Sequence, residues 1–324
     1  MGNRADSSST RVAERKRHSW LVNFVIRLVR EKPLGMVGGI ITLLLLFTGI
    51  FADFIAPYGV NEVHMEDYLA SPSATYWLGA DNLGRDMLSR VIFGARISVI
   101  AGLAGSIWAT TVSLIIGILS GYLGGKFDLI VQRFVDAWMC LPSLILMMVI
   151  ITIIGSGLWQ LIICMGLTFG VTGSRIIRSA VIAIKENVYV QAAEAVGCST
   201  PRILARHILP NIMAPTIVLF TTRVPNVILV EASLSFLGFG IPPPAASWGG
   251  MLSGMGRYYL LQAPWMVVWP GLALAIVVYG INMFGDAVRD ILDPRLRGGV
   301  GRYGVRAKKE VKKSPSKKGT SKGQ

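Results

Sequence analysis

Along the chain, long apolar runs alternate with short polar ones, and the period of each run says what it forms. Residues 20–32 repeat at helical spacing: Trp20, Leu21, Phe24, Val25 and Leu28 fall on one face, whereas Asn23, Arg27, Arg30 and Glu31 fall largely elsewhere. This pattern predicts an amphipathic helix lying in a membrane interface. Leu34 to Ala52 carries no charge and is long enough to cross a bilayer, which needs about 20 apolar residues. It starts too deep in the chain, and runs too long, for a cleaved signal peptide, and reads as an uncleaved first span. On the same criterion, spans are expected at about 34–56, 97–120, 129–154, 158–174, 216–238 and 266–284. In the second, small residues recur at every fourth position: Ala101, Gly105, Ala109, Ser113, Gly117, Gly121 and Gly125. Each step of four overshoots a full helical turn by about 40°. The stripe therefore winds round its helix and is expected to meet more than one neighbour, backbone to backbone.

The predicted fold class is an all-α membrane protein: six transmembrane helices, an amphipathic N-terminal interfacial helix, and a helix–turn–helix between the fourth and fifth spans. Composition agrees, because 52% hydrophobic and 15% charged residues exclude an ordinary soluble domain. A net charge of +14 would suit nucleic acid, but the basic residues sit in the tails and one set of loops, without interleaved aromatic side chains. Nucleic acid is not an expected partner. With the N-terminus inside, 26 of the 32 Lys and Arg fall on inner segments and 4 on the outer loops 57–96 and 239–265. Such a bias orients both termini toward the cytoplasm in a multi-pass cell-membrane protein. The chain divides into a tail and interfacial helix (1–33), a spanning domain (34–284) with a cytoplasmic loop 175–215, and a basic tail (285–324). Residues 1–19 and the Lys-rich end from Lys308 are expected to be disordered, the latter able to touch anionic lipid headgroups. Cys140, Cys164 and Cys198 form no CxxC pair and read as packing residues.

The polar interruption at 186–210 organises the rest. Asn187 is placed to cap a first short helix, and Gly197 suits the left-handed position that ends it. Ser199 or Thr200 is placed to cap a second helix with Pro201 at its first position, closed by Leu209-Pro210. Gln191-Ala192-Ala193, then Gly197, then His207-Ile208-Leu209-Pro210 resembles the EAA signature of permease subunits of ABC importers. Gln191 stands where the signature has its first Glu, and His207 where Ile is usual. The run from Arg206 to Asn211 is similar to the peptide and nickel branch of that family. The resemblance implies that this loop docks on a cytoplasmic ATPase, with Tyr189, Gln191, Ala192, Ala193, Glu194, Gly197, Arg202, His207, Leu209 and Pro210 as the coupling residues.

Further stretches resemble the same branch. They are Trp77 to Arg90 before the second span, Glu231-Ala-Ser-Leu-Ser-Phe-Leu-Gly-Phe-Gly, the irregular Pro242–Gly250 segment, and the ending Gly285 to Pro294. In the first, Asp81 or Asn82 is placed to cap a helix along the interface. Asp136 and Arg223 lie at one inferred depth, seven residues past the inner ends of their spans, and are expected to pair, with Asp136–Arg133 as the rival. Glu231 lines the path or supports a helix break at Gly238.

No phosphate loop, HExxH or dinucleotide fingerprint is present, so no catalytic, cofactor or metal site is expected. The resemblance implies alternating access driven by two ATPase subunits, a homologous second permease subunit and an extracytoplasmic substrate-binding protein. Di- and oligopeptides are the leading substrates, with nickel chelates, opines and oligosaccharides as alternatives within the family. A stand-alone secondary transporter is the alternative outside it, disfavoured by the lack of twin halves with paired broken helices.

Overall fold

A computed structural model describes residues 20–292, with side chains from Val25 onward. The expectations for residues 1–19 and for the basic tail beyond 292 lie outside the described residues. Helix α1 (Trp20–Glu31) precedes α2 (Pro33–Ile50), and the short α3 (Ala52–Ile55) leads into a long loop. Then come α4 (Met87–Leu123), α5 (Gly125–Met139), α6 (Ser143–Ile154) and α7 (Leu158–Lys185). Two short helices, α8 (Val188–Ala195) and α9 (Thr200–Ile203), lead through a π-helical turn Leu204–Ile208 into α10 (Leu209–Phe236). Helices α11 (Trp248–Leu252) and α12 (Gly254–Tyr258) separate α10 from α13 (Trp265–Leu292). No strand occurs among the described residues.

Five helices are long and apolar enough to cross a membrane, and a sixth crossing exists if α5 and α6 count as one bent pair. The third span expected at 129–154 is formed by α5 and α6, whose axes meet at 92°. Pro142 explains the break, since it has no N–H to continue α5 and instead stands before the first residue of α6. Helices α4, α7, α10 and α13 run longer than the expected spans, whereas α2 ends at Ile50, short of the expected residue 56.

The small-residue stripe of α4 meets two neighbours, as its winding requires. A Cβ on Gly102 would lie 2.8 Å from Ile228 of α10, and one on Gly105 would lie 2.9 Å from Val227. Further along, the place where a Cβ on Gly117 would sit is 2.7 Å from the Ser174 carbonyl of α7, and Ser113 Oγ donates to the Gly170 carbonyl at 2.8 Å. At α1, the Lys32 ammonium reaches Asp290 of α13 at 2.6 Å, so the interfacial helix and the last span are tied at one end.

The loop before α4 is held by carboxylates. Asp81 does not cap a helix: its Oδ1 accepts from the Leu83 and Arg85 N–H groups, and its Oδ2 takes Arg85 Nε at 2.7 Å and faces Arg90 Nε at 3.6 Å. The cap is Asp86, which accepts from the Ser89 N–H at 2.8 Å. Both side chains in the Asp81–Arg90 pair are nearly closed to solvent, at 4% and 8% exposure. Asp81→Ala therefore leaves a buried guanidinium short of its counter-charge, at a cost of about 3–5 kcal/mol, read as a lowered melting temperature in detergent. In the same loop the Tyr76 hydroxyl donates to Asp67 at 2.8 Å, and burial with this bond pushes it up to about 12. The fold prefers the neutral phenol, so this contribution is whole below pH 10 and fades between 10 and about 12. Tyr76→Phe should flatten that part of the stability–pH curve.

Candidate functional site

The segment 186–210 stands at one end of the bundle, where α4, α5 and α7 also end or begin. Helix α7 closes as Asn187 Nδ2 donates to the Ala183 and Ile184 carbonyls, both at 3.1 Å. Asn187 occupies the N-cap of α8, yet its side chain serves the preceding helix instead of the following one. Helix α8 ends in a Schellman turn. Gly197 takes φ +83°, its N–H donates to the Glu194 carbonyl at 2.9 Å, and the Cys198 N–H donates to the Ala193 carbonyl at 3.0 Å. The second helix does not stop at Leu209-Pro210. It widens into a π turn in which the Leu209 N–H reaches the Leu204 carbonyl, and continues as α10. Pro210 has no N–H to return to Arg206, and the wider turn takes its ring without ending the helix.

Apolar anchors hold this bend to the bundle. Val190, Ile203 and Ile208 are closed to solvent and pack with Tyr122, Ile177, Val181, Ile212 and Leu219. A polar tie reinforces them: the Tyr122 hydroxyl donates to Glu194 Oε1 at 3.0 Å, and Lys185 Nζ donates to the Tyr122 carbonyl at 2.7 Å. Beside it, Arg178 forks onto Asp128, which also accepts from Ser120. The last turns of α4 and α7 and the first turn of α5 are thereby bound to α8.

The opposite face of the bend is open. Val188 and Val196 are 80% and 85% exposed, and Gln191, Ala192, Gly197 and Arg202 are exposed with them, while Glu194, also exposed, turns its carboxylate toward Tyr122. Gln191 Nε2 donates to the Glu186 carbonyl at 3.3 Å. Ala193 and His207 are half-buried, and the Tyr189 ring lies 6.3 Å from the His207 ring, bringing the two helices of the bend together. Leu209 and Pro210 are exposed at the start of α10. Exposed valines, small alanines and a glycine with nothing near it form a surface that another backbone can approach closely. Tyr122, Lys185, Val188 and Val196 belong to this site and were not among the residues singled out by sequence.

The expected Asp136–Arg223 pair does not form. Helix α5 lies against α4 and α7, not α10, so Asp136 pairs with Arg175 of α7 and faces Arg133 at 3.8 Å. Arg223 instead donates to the Phe169 carbonyl and sits 5.5 Å over the Phe169 ring. Glu231 is closed to solvent; its Oε1 accepts from Ser235 at 2.8 Å, and its Oε2 has no partner among the described residues. Gly238, at φ +87°, ends α10 in a second Schellman turn, with the Phe239 N–H on the Leu234 carbonyl at 2.8 Å. A cavity of about 550 Å³ opens at this end, between the Asp81–Arg90 loop, residues 238–245 and α11 and α12. No cluster of metal-ligating side chains is present among the described residues.

Residues 113–298 match the family model described as the binding-protein-dependent transport system inner membrane component. The chain belongs to this family. Residues 23–72 also match the N-terminal transmembrane domain of oligopeptide transport permease C. Among family relatives, the oligopeptide transport system permease protein OppC of Bacillus subtilis is 38% identical over 83% of this chain and 88% of its own length. The dipeptide transport system permease protein DppC of Alkalihalophilus pseudofirmus is 36% identical over 83% and 88%. The probable D,D-dipeptide transport system permease protein DdpC of Escherichia coli is 34% identical over 85% and 92%. A chain of the inward-facing MetNI methionine ABC transporter shares the fold, with TM-score 0.52 and 18% identity over 64% of this chain and 98% of that one.

Gly197→Val tests the geometry of the bend directly. The left-handed backbone costs a branched residue about 1–2 kcal/mol, yet nothing lies within 4 Å of the site to clash with the new side chain. Amide exchange across 193–199 should rise while the melting temperature of the bundle stays put.

Proposed function

We propose that this chain is one of two permease subunits of an ATP-driven importer of di- and oligopeptides. The observation that carries the reading is the bend between Ala193 and Ser199. It is open to a partner on one face and fastened to three membrane-spanning helices on the other, as a part that receives force from a separate motor needs to be. The peptide substrate is supported by relatives whose names assign them oligopeptide and dipeptide transport. In this reading one of two ATPase subunits docks on Val188, Ala192, Val196 and Arg202, its twin docks on the second permease subunit, and a binding protein delivers peptide to the cavity at the far end of α10. A homologous permease subunit completes the path.

The excess of Lys and Arg on the segments that share the bend's side supports a cytoplasmic placement for it and for both termini. ATP-driven closure of the motor subunits then draws α8 and α9 together, and the Tyr122–Glu194 tie carries the displacement into α4.

Uptake of a labelled dipeptide into proteoliposomes holding the assembled transporter tests this. Tyr122→Phe removes the bond to Glu194 and should lower peptide uptake per ATP hydrolysed by about 5- to 10-fold, the equivalent of one lost hydrogen bond, with the subunits still co-purifying. Uptake that persists without the ATPase subunits would overturn the reading.

A further inference from the structure

We propose that Arg223 forms a carboxylate-binding subsite within the spanning bundle and takes the C-terminal carboxylate of the peptide in transit. The inference rests on the peptide-importer reading above. Helix α10 carries polar residues on a face that this chain leaves uncovered: Asn226 is exposed, and Thr222 and Ser233 are half-buried. Their side chains donate to carbonyls one turn back, yet hydrocarbon would still be a poor neighbour for them. This face is built for an aqueous path.

Arg223 stands at its edge. One of its N–H groups is committed to the Phe169 carbonyl, and its plane lies over the Phe169 ring. Gly173 makes the room, because a Cβ there would collide with Nη2. No carboxylate among the described residues pairs with it, since Asp136 is taken by Arg175 and Arg133. A guanidinium has five N–H donors in a rigid fork that matches a carboxylate. An ionised group held inside a span without a counter-charge is a functional site by default.

The guanidinium lines a cavity of about 300 Å³ together with Ser143, Phe169, Thr222, Asn226 and Val230. This is the lower end of the size range for small-molecule pockets, suited to the end of a peptide and not to a long chain. Ser143 is the first residue of α6, so the cavity occupies the angle opened by the 92° break after α5. The C-terminal carboxylate is the one anionic group that every unmodified peptide carries whatever its sequence. A subsite for it would suit a transporter of many peptides. The same chemistry would be supplied by an acidic side chain of the second permease subunit, and the test separates the two sources.

The assembled transporter with its binding protein is reconstituted as wild type, Arg223→Gln and Arg223→Lys, and given a dipeptide with a photoreactive side chain. Light during turnover should label residues 222–230 in the wild type. Labelling and uptake should fall at least about tenfold in Arg223→Gln, as expected for losing a charge-assisted bond, and recover in part in Arg223→Lys. Unchanged labelling and uptake in Arg223→Gln would overturn the subsite. Loss of the second permease subunit from the purified Arg223→Gln complex would overturn it too, assigning the carboxylate to that subunit. Should Arg223→Gln fail to fold, Ser143→Phe fills the cavity while leaving the guanidinium intact, and undiminished uptake by that variant would sink the proposal. A wild type that takes up no peptide at all refutes the importer reading instead.

Discussion

The close approach of α4 to its neighbours is the constraint on which the rest of the structure depends. In hydrocarbon there is little hydrophobic gain in bringing two apolar helices together, so contact area and hydrogen bonds decide the packing. Helix α4 meets this by giving up side chains. Gly117 lets its backbone come against Ser174 and Ile177, and Ser113 bonds to the Gly170 carbonyl at the same seam. Nearer its start, Gly102 and Gly105 admit Ile228 and Val227 of α10. One helix is thus the spine against which both α7 and α10 are set. The bend at 186–210 stands on the joint they share, with Tyr122 of α4 and Ile177 of α7 beneath it.

The seam leaves little slack. A residue such as Val190 is closed to solvent between helices that cannot move apart without opening voids, and voids in a packed interior are costly. The polar tie from Glu194 to Tyr122 adds direction to this apolar contact. Val188 and Val196, on the other face, leave apolar surface open to solvent.

Much of this was legible locally. Gly197 announces a left-handed helix end, and the structure places it in a Schellman turn because the requirement involves only neighbouring residues. The stripe on α4 is periodic and so predicted its own packing. What could not be read were choices made across the chain. Pro142 breaks the third span while Pro215 and Pro225 lie within α10, and a hydropathy pattern treats all three alike. Asp81 is a sound cap on paper, but the half-buried Arg85 and the buried Arg90 claim it, and the cap falls to Asp86. Equal depth did not make Asp136 and Arg223 partners, because depth along a helix says nothing of the side it faces. Tyr122 and Glu194 are 72 residues apart, beyond any local pattern.

The π turn at Leu204–Ile208 has a mechanical meaning. Because it substitutes for the interruption that Leu209-Pro210 would otherwise impose, Thr200–Phe236 is one unbroken rod of 37 residues, about 55 Å of helix at 1.5 Å per residue. Its near tip belongs to the exposed bend, its middle carries Arg223, and its far tip holds Glu231 and Gly238 beneath the large cavity. A displacement imposed at the base therefore has one continuous helix to follow to the mouth, with Pro215 and Pro225 as its compliant points.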